Sequence, residues 1–264
     1  MKESKNTISR LGRPQYKASI FNEPEELSTL IHKIGHEIGN PLTAIISYSS
    51  IIERFSGQTP GGQNPENNPL SSKLTSYAGS IIDESWKVNQ QSERLVMLLS
   101  QKPGNTTECP IADILKTAIK KHSLRNKNRP LTHRVEIKSP EDFGQANADP
   151  EQFVILLCEF LANSLNAIEF FYGKDSQEKI TVAPINEDNT FGLSVSNSKP
   201  SAYPEELSNL LDPYVSEYVE KKHLGLGFCV CHAIASRFNA QIRLVETTEN
   251  EKITFSQEII FTRG

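Results

Sequence analysis

The chain has 264 residues, a formal net charge of −4 and a sequence pI of about 5.9. This length accommodates two small domains with cores of their own, and the acidic balance excludes a general basic footprint for nucleic acid. No window approaches eighteen uninterrupted apolar residues, and the first twenty lack the apolar run of a signal peptide, so the expectation is a cytoplasmic protein with no membrane span.

Residues 1–23 read as an N-terminal arm. From Leu27, apolar residues recur at 30, 31, 34, 38, 42, 45, 46, 51 and 52, the three-four spacing of one helical stripe from about Pro24 to Phe55. The segment SGQTPGGQNPENNP, residues 56 to 69, is a loop by its glycine, proline and asparagine content. A second stripe follows at Leu70, Leu74, Tyr77, Ile81, Val88, Leu95 and Leu98, ending before KPGN. The two helices form a hairpin spanning residues 24–104. Neither helix can bury its whole stripe on one neighbour, so a homodimer making a four-helix bundle through residues 24–101 is predicted.

Residues 105–264 alternate helices and strands. The pattern predicts a helix near Ile111–His122, a strand at 133–138, a helix from about Asp149 to Tyr172, and strands KITVAPI and TFGLSVSN. A short helix near Pro204–Leu211, a helix from about Leu226 to Phe238 and two final strands complete it. This is an α+β sandwich, one helical layer on a mixed sheet. The cysteines at 109, 158, 229 and 231 form no CxxC pair, and buried free thiols are expected.

Chemistry concentrates first in HKIGHEIGNPLTAI, residues 32–45. His36 lies two positions from Ile34 and Ile38, about 200° from each around the helix, and so faces away from the apolar stripe. Gly35, Gly39 and Pro41 all disfavour a helix interior, and rules broken together beside one imidazole point to a site rather than to an incidental surface histidine. Zinc on an HExxH helix needs a second histidine where Asn40 stands, and His32 with His36 has no third ligand in sight. The remaining chemistry is nucleophilic: one ring nitrogen attacks while Glu37, the adjacent carboxylate, holds the proton of the other.

HEIGNPLTAI resembles the phosphoacceptor box of bacterial two-component histidine kinases. The resemblance implies that His36 accepts the phosphoryl group, that Glu37 assists, and that Asn40 opens the Asn-Pro-Leu segment. DPEQFVILLCEFLANSLNAIEFF resembles the N-box helix of the ATP-binding domain that these kinases share with gyrase and a heat-shock chaperone. Glu159, Asn163 and Asn166 share one face there. An asparagine carbonyl is a hard oxygen suited to Mg²⁺, and the resemblance makes Asn163 the metal ligand. KKHLGLGFCVCHAIASRF resembles the second glycine box. Gly225 and Gly227 match two of its glycines, His223 replaces the first, and backbone N–H groups at the helix start meet phosphates.

The first glycine box departs from the family. Its strand should be followed by DxGxG, whereas this chain has SNSKPS at 196–201. Asn197 stands for the aspartate that accepts the adenine amino group, which its side-chain oxygen can still do, while Lys199 and Ser201 replace both glycines. The resemblance implies a cytoplasmic histidine kinase that uses ATP and Mg²⁺ to phosphorylate His36 and passes the group to an aspartate on a response regulator receiver domain. The eroded box leaves an alternative, a phosphotransfer or adaptor protein of kinase architecture without nucleotide binding. No input domain is recognisable, so a signal would arrive from an upstream sensory partner, through the dimer or through the N-terminal arm.

Overall fold

The computed structural model describes residues 5–8, 38–52, 69–99, 105–125, 131–202, 207, 210, 226–249 and 252–263. The chain divides into two compact units, Tyr16–Leu99 in one and Met1–Gln15 with Ser100–Gly264 in the other.

The first unit is a helical hairpin. Its first helix, α1, is described over Ile38–Ile52, and α2 runs Pro69–Leu99. Tyr48 of α1 stacks on Tyr77 of α2 with ring centroids 5.8 Å apart. The α2 stripe is half-buried at Leu74, Tyr77, Ile81, Val88 and Leu95 and buried at Leu98. Leu42, Ile46, Ile82 and Trp86 stay exposed, Ile46 by 65%. Pro41 is buried and Asn40 exposed. Near this proline the Thr43 hydroxyl donates to the Gly39 carbonyl at 2.8 Å, a local side-chain bond that accompanies irregular helical turns.

The second unit is α+β. Its main sheet has the order β1-β7-β8-β6-β5-β3, where β1 is Lys5–Ile8, β3 Val135–Ile137, β5 Ile180–Glu187, β6 Thr190–Lys199, β7 Gln241–Glu249 and β8 Lys252–Thr262. Among the described residues only β3 with β5 is a parallel pair, so the sheet is mixed. Helices α3 (Ile111–Arg125), α4 (Pro150–Tyr172) and α5 (Gly227–Arg237) form the other layer. The period-two alternation brings Leu193, Val195, Asn197 and Lys199 of β6 and Phe255, Gln257, Ile259 and Phe261 of β8 to the helix-covered face. Phe153 of α4 meets Phe261 edge-on there at 5.7 Å.

The opposite face is polar. Hydroxyls of Ser194, Ser196 and Ser256 join in a chain, and Arg243 bonds both Glu258 and Glu187. Burial pushes the Glu258 carboxyl above the usual range, against the lowering pull of Arg243. All four cysteines are free and buried, as their spacing led us to expect.

Boundaries follow local chemistry. Asp149 caps α4 by accepting from the Glu151 and Gln152 amides, with Pro150 in the first turn. At the end of α5, Asn239 takes a left-handed φ of 53°, and the Ala240 amide reaches the Ala235 carbonyl, the closure of a Schellman turn. Three differences from the sequence reading stand out. A two-stranded sheet of β2 (Thr107–Pro110) with β4 (Gln145–Ala148) flanks α3, and both strands are too short to carry a period. Residues 5–8, read as arm, form β1. Strand β6 continues past Asn197, with Ser198 and Lys199 paired to Thr254 and Ile253, until Pro200, which has no N–H for a ladder. Of the helix expected near Pro204–Leu211 only Leu207 and Leu210 are described, and both are buried against Leu244 and Phe255.

Candidate nucleotide site

The site is assembled where α4 crosses the start of α5. Glu159 and Asn163 are four apart on α4 and share a face. That face meets Gly227, the first residue of α5. A Cβ at Gly227 would stand 3.3 Å from Glu159 Oε2 and 3.4 Å from Asn163 Oδ1. A side chain here would crowd both groups, and the bare backbone of glycine leaves a cradle between two polar groups and a helix start. Leu226 supplies no side-chain cap, so among the described residues the first-turn amides of α5 have no such local acceptor. Glu159 is 3% exposed, while Asn163 and Asn166, a turn further along α4, are half-buried.

The orientation of Asn163 follows from a residue the sequence reading missed. Gln257 of β8 is fully buried. Its amide nitrogen donates to the Phe160 carbonyl at 3.1 Å and to Ser164 Oγ at 2.9 Å. Its oxygen is therefore the acceptor left for Asn163, whose Nδ2 donates to it at 3.1 Å. That bond turns Asn163 Oδ1 toward the cradle, the polarity a cation requires. The signal was present in the alternation FSQEIIF, where one inward position of an apolar face carries glutamine.

At the far end of β6, Asn197 is 2% exposed. Its Nδ2 donates to the Ser198 carbonyl at 3.1 Å, which fixes the amide and leaves Oδ1 buried with no hydrogen-bond partner among the described residues. A buried orphan acceptor costs about 1–3 kcal/mol, and a donor on a ligand would remove that cost. Lys199, one position on along the same face, is buried too. Its Nζ lies 3.4 Å from Glu246 Oε1 of β7, with the two side chains 1% and 12% exposed. The ammonium lies 5.8 Å from the centroid of Phe171 and 5.9 Å from that of Phe255. Ser198 points to the other face, where its hydroxyl donates to Glu178 at 2.6 Å.

The structure therefore brings Glu159, Asn163 and Gly227 together and places Asn197 and Lys199 on one face of β6. His36, Glu37 and Gly225 lie outside the described residues. Among the described residues no cluster of three metal-ligating side chains occurs. The donor set fits Mg²⁺ carried on a nucleotide, because one carboxamide oxygen and one carboxyl group beside a helix start leave the remaining ligands to phosphate and water.

The helical hairpin, the mixed sheet and its helical layer together make the histidine kinase fold. The Acinetobacter baumannii histidine kinase AdeS matches 85% of this chain and 96% of its own, with TM-score 0.52 and 15% identity. Full-length ShkA in complex with AMPPNP matches 91% of this chain and 46% of its own, with TM-score 0.53 and 15% identity. ThkA in complex with the response regulator protein TrrA matches 90% of this chain and 64% of its own, with TM-score 0.56 and 18% identity. This chain thus spans less than two thirds of the ShkA and ThkA chains. No protein-family model and no curated protein sequence matches it.

Proposed function

We propose that this protein is a cytoplasmic, homodimeric histidine kinase with three parts: an arm at 1–23, a dimerisation and phosphoacceptor hairpin at 24–104, and an ATP-binding domain at 105–264. The observation that carries the reading is the meeting of Glu159 and Asn163 with Gly227. Two polar side chains converge on a bare helix start, at spacings that matched the N-box and second glycine box.

Bound Mg-ATP supplies the transferable γ-phosphoryl group. Asn163 Oδ1, turned by Gln257, would ligate the Mg²⁺. Glu159 and Asn166 would line the phosphate end, and the backbone from Gly225 to Gly227 would donate to phosphate oxygens. Asn197 Oδ1 would accept the amino hydrogen of the base. His36 would receive the group while Glu37 holds the proton of its other ring nitrogen and Asn40 completes the box. A receiver-domain aspartate is then the acceptor, and the protein's contribution is positioning and charge stabilisation. An upstream sensory partner would supply the input.

Lys199 favours a second reading, a phosphotransfer protein that has lost nucleotide binding. A buried ammonium already satisfied by Glu246 stands beside the acceptor meant for the base.

One experiment separates the two. With γ-labelled ATP and Mg²⁺, acid-labile, alkali-stable label is expected on the wild type and not on His36→Gln. An unlabelled wild type that binds no nucleotide by calorimetry would refute the kinase reading. Label that reaches His36 only from a phosphorylated receiver domain would establish the relay.

A further inference from the structure

Strand β1 serves no part of the nucleotide reading. It pairs antiparallel with β7, Asn6 opposite Glu246 and Ile8 opposite Leu244. The β1 backbone therefore runs along the outer edge of β7 at Glu246. Glu246 is the carboxylate that binds Lys199. A dry flank keeps the effective dielectric low and the ion pair strong, and water at that flank weakens it.

The pairing is built to be reversible. β1 has four residues, KNTI, two of which, lysine and asparagine, are depleted in strands. A four-residue strand at a sheet edge opens at little free-energy cost. β7 is held along its whole length by β8 on its other side, so β1 can leave without dismantling the sheet.

We propose that the outer edge of β7 is a docking edge for residues 5–8 of this chain, and that release of this strand unlocks Lys199. Docked, β1 shields the Glu246–Lys199 pair. Released, it admits water to Glu246 and opens Lys199 to solutes. Strand β1 then controls one end of β6 across the two intervening strands β7 and β8. This inference rests on register and burial and is independent of nucleotide binding.

The test uses the full chain with Asn6→Pro and Thr7→Pro combined. Neighbouring strand residues turn their N–H groups to alternate sides, so the pair removes whichever donor faces β7. Backbone amides at 244–247 are expected to exchange about tenfold faster by mass spectrometry, and Lys199 to be acylated about tenfold faster by an amine-reactive ester, while α4 amides keep wild-type exchange. Unchanged exchange at 244–247 would overturn the proposal. So would faster exchange there with unchanged Lys199 labelling, or a rise in labelling matched by loss of protection throughout α4. Glu246→Gln with β1 intact should also expose Lys199, and a failure to do so would remove Glu246 as the link.

Discussion

At the scale of single residues, orientation matters more than identity. Asn163 is legible in the sequence as a metal ligand only through motif resemblance, but its usefulness depends on which amide atom faces the cradle, and Gln257 decides that. Gln257→Leu is expected to cost about 1–3 kcal/mol in denaturant unfolding, because buried polar partners lose their mate. It should also weaken Mg²⁺-dependent nucleotide affinity with Asn163 still in place; undiminished affinity in calorimetry would contradict the orienting role. Glu178 offers a titration check. The Ser198 hydroxyl first, and Lys252 after it, hold its carboxyl below the usual range. A lowered folded value means stability that is present above the ordinary carboxylate range and is lost as pH falls through the folded value. In Ser198→Ala the Glu178 midpoint, followed by NMR, should rise toward the ordinary value, and the acid-side loss of stability should become shallower.

At the scale of elements, long helices were legible and the four-residue strands were not, although β3 at Val135–Ile137 falls inside the strand expected at 133–138. The reading of α2, α3, α4 and α5 agreed with the structure to within a few residues because a 3.6-residue period repeats several times in each. β2, β4 and β1 have four residues apiece and offer no such repetition. β6 was cut short because SNSKPS matched a loop motif in position, whereas its ladder with β8 outlasts the apolar alternation. Close packing of that pair gives a sharp expectation. A Cβ on Gly192 would lie 1.9 Å from the Ile259 carbonyl oxygen, a backbone atom that cannot turn aside. Gly192→Ala should therefore destabilise by about 3 kcal/mol or more, read as a drop in the denaturation midpoint. Gly227→Ala meets side-chain atoms instead, so it should leave that midpoint nearly unchanged while reducing nucleotide affinity.

At the scale of the whole molecule, the hairpin carries Leu42 and Ile46 on α1 and Ile82 and Trp86 on α2 at four-residue spacing, all exposed. Apolar side chains repeated in this way along a helix seek a facing surface, and a second copy supplies it under the proposed dimer. Sedimentation should give a dimer for the wild type at micromolar concentration and a monomer for the combined Ile46→Glu and Ile82→Glu variant; a monomeric wild type would end the dimer reading.

The two borders of the main sheet are not equivalent. On one side the edge is β3, which covers only Ile180–Val182 of β5; beyond it β5 carries Pro184, which has no N–H to offer a further strand, and Asn186, whose side chain donates to the Asp142 carbonyl. On the other side, among the described residues, stands β1 alone. Were β1 removed, the nine-residue outer edge of β7 would be open, against three residues at the β3 edge. Two such borders can join only about a twofold axis, and the assembly closes as a pair. Pro184 thereby denies a ladder donor to any strand that approaches the far border beyond β3, so growth through the β7 edge alone gives a finite complex.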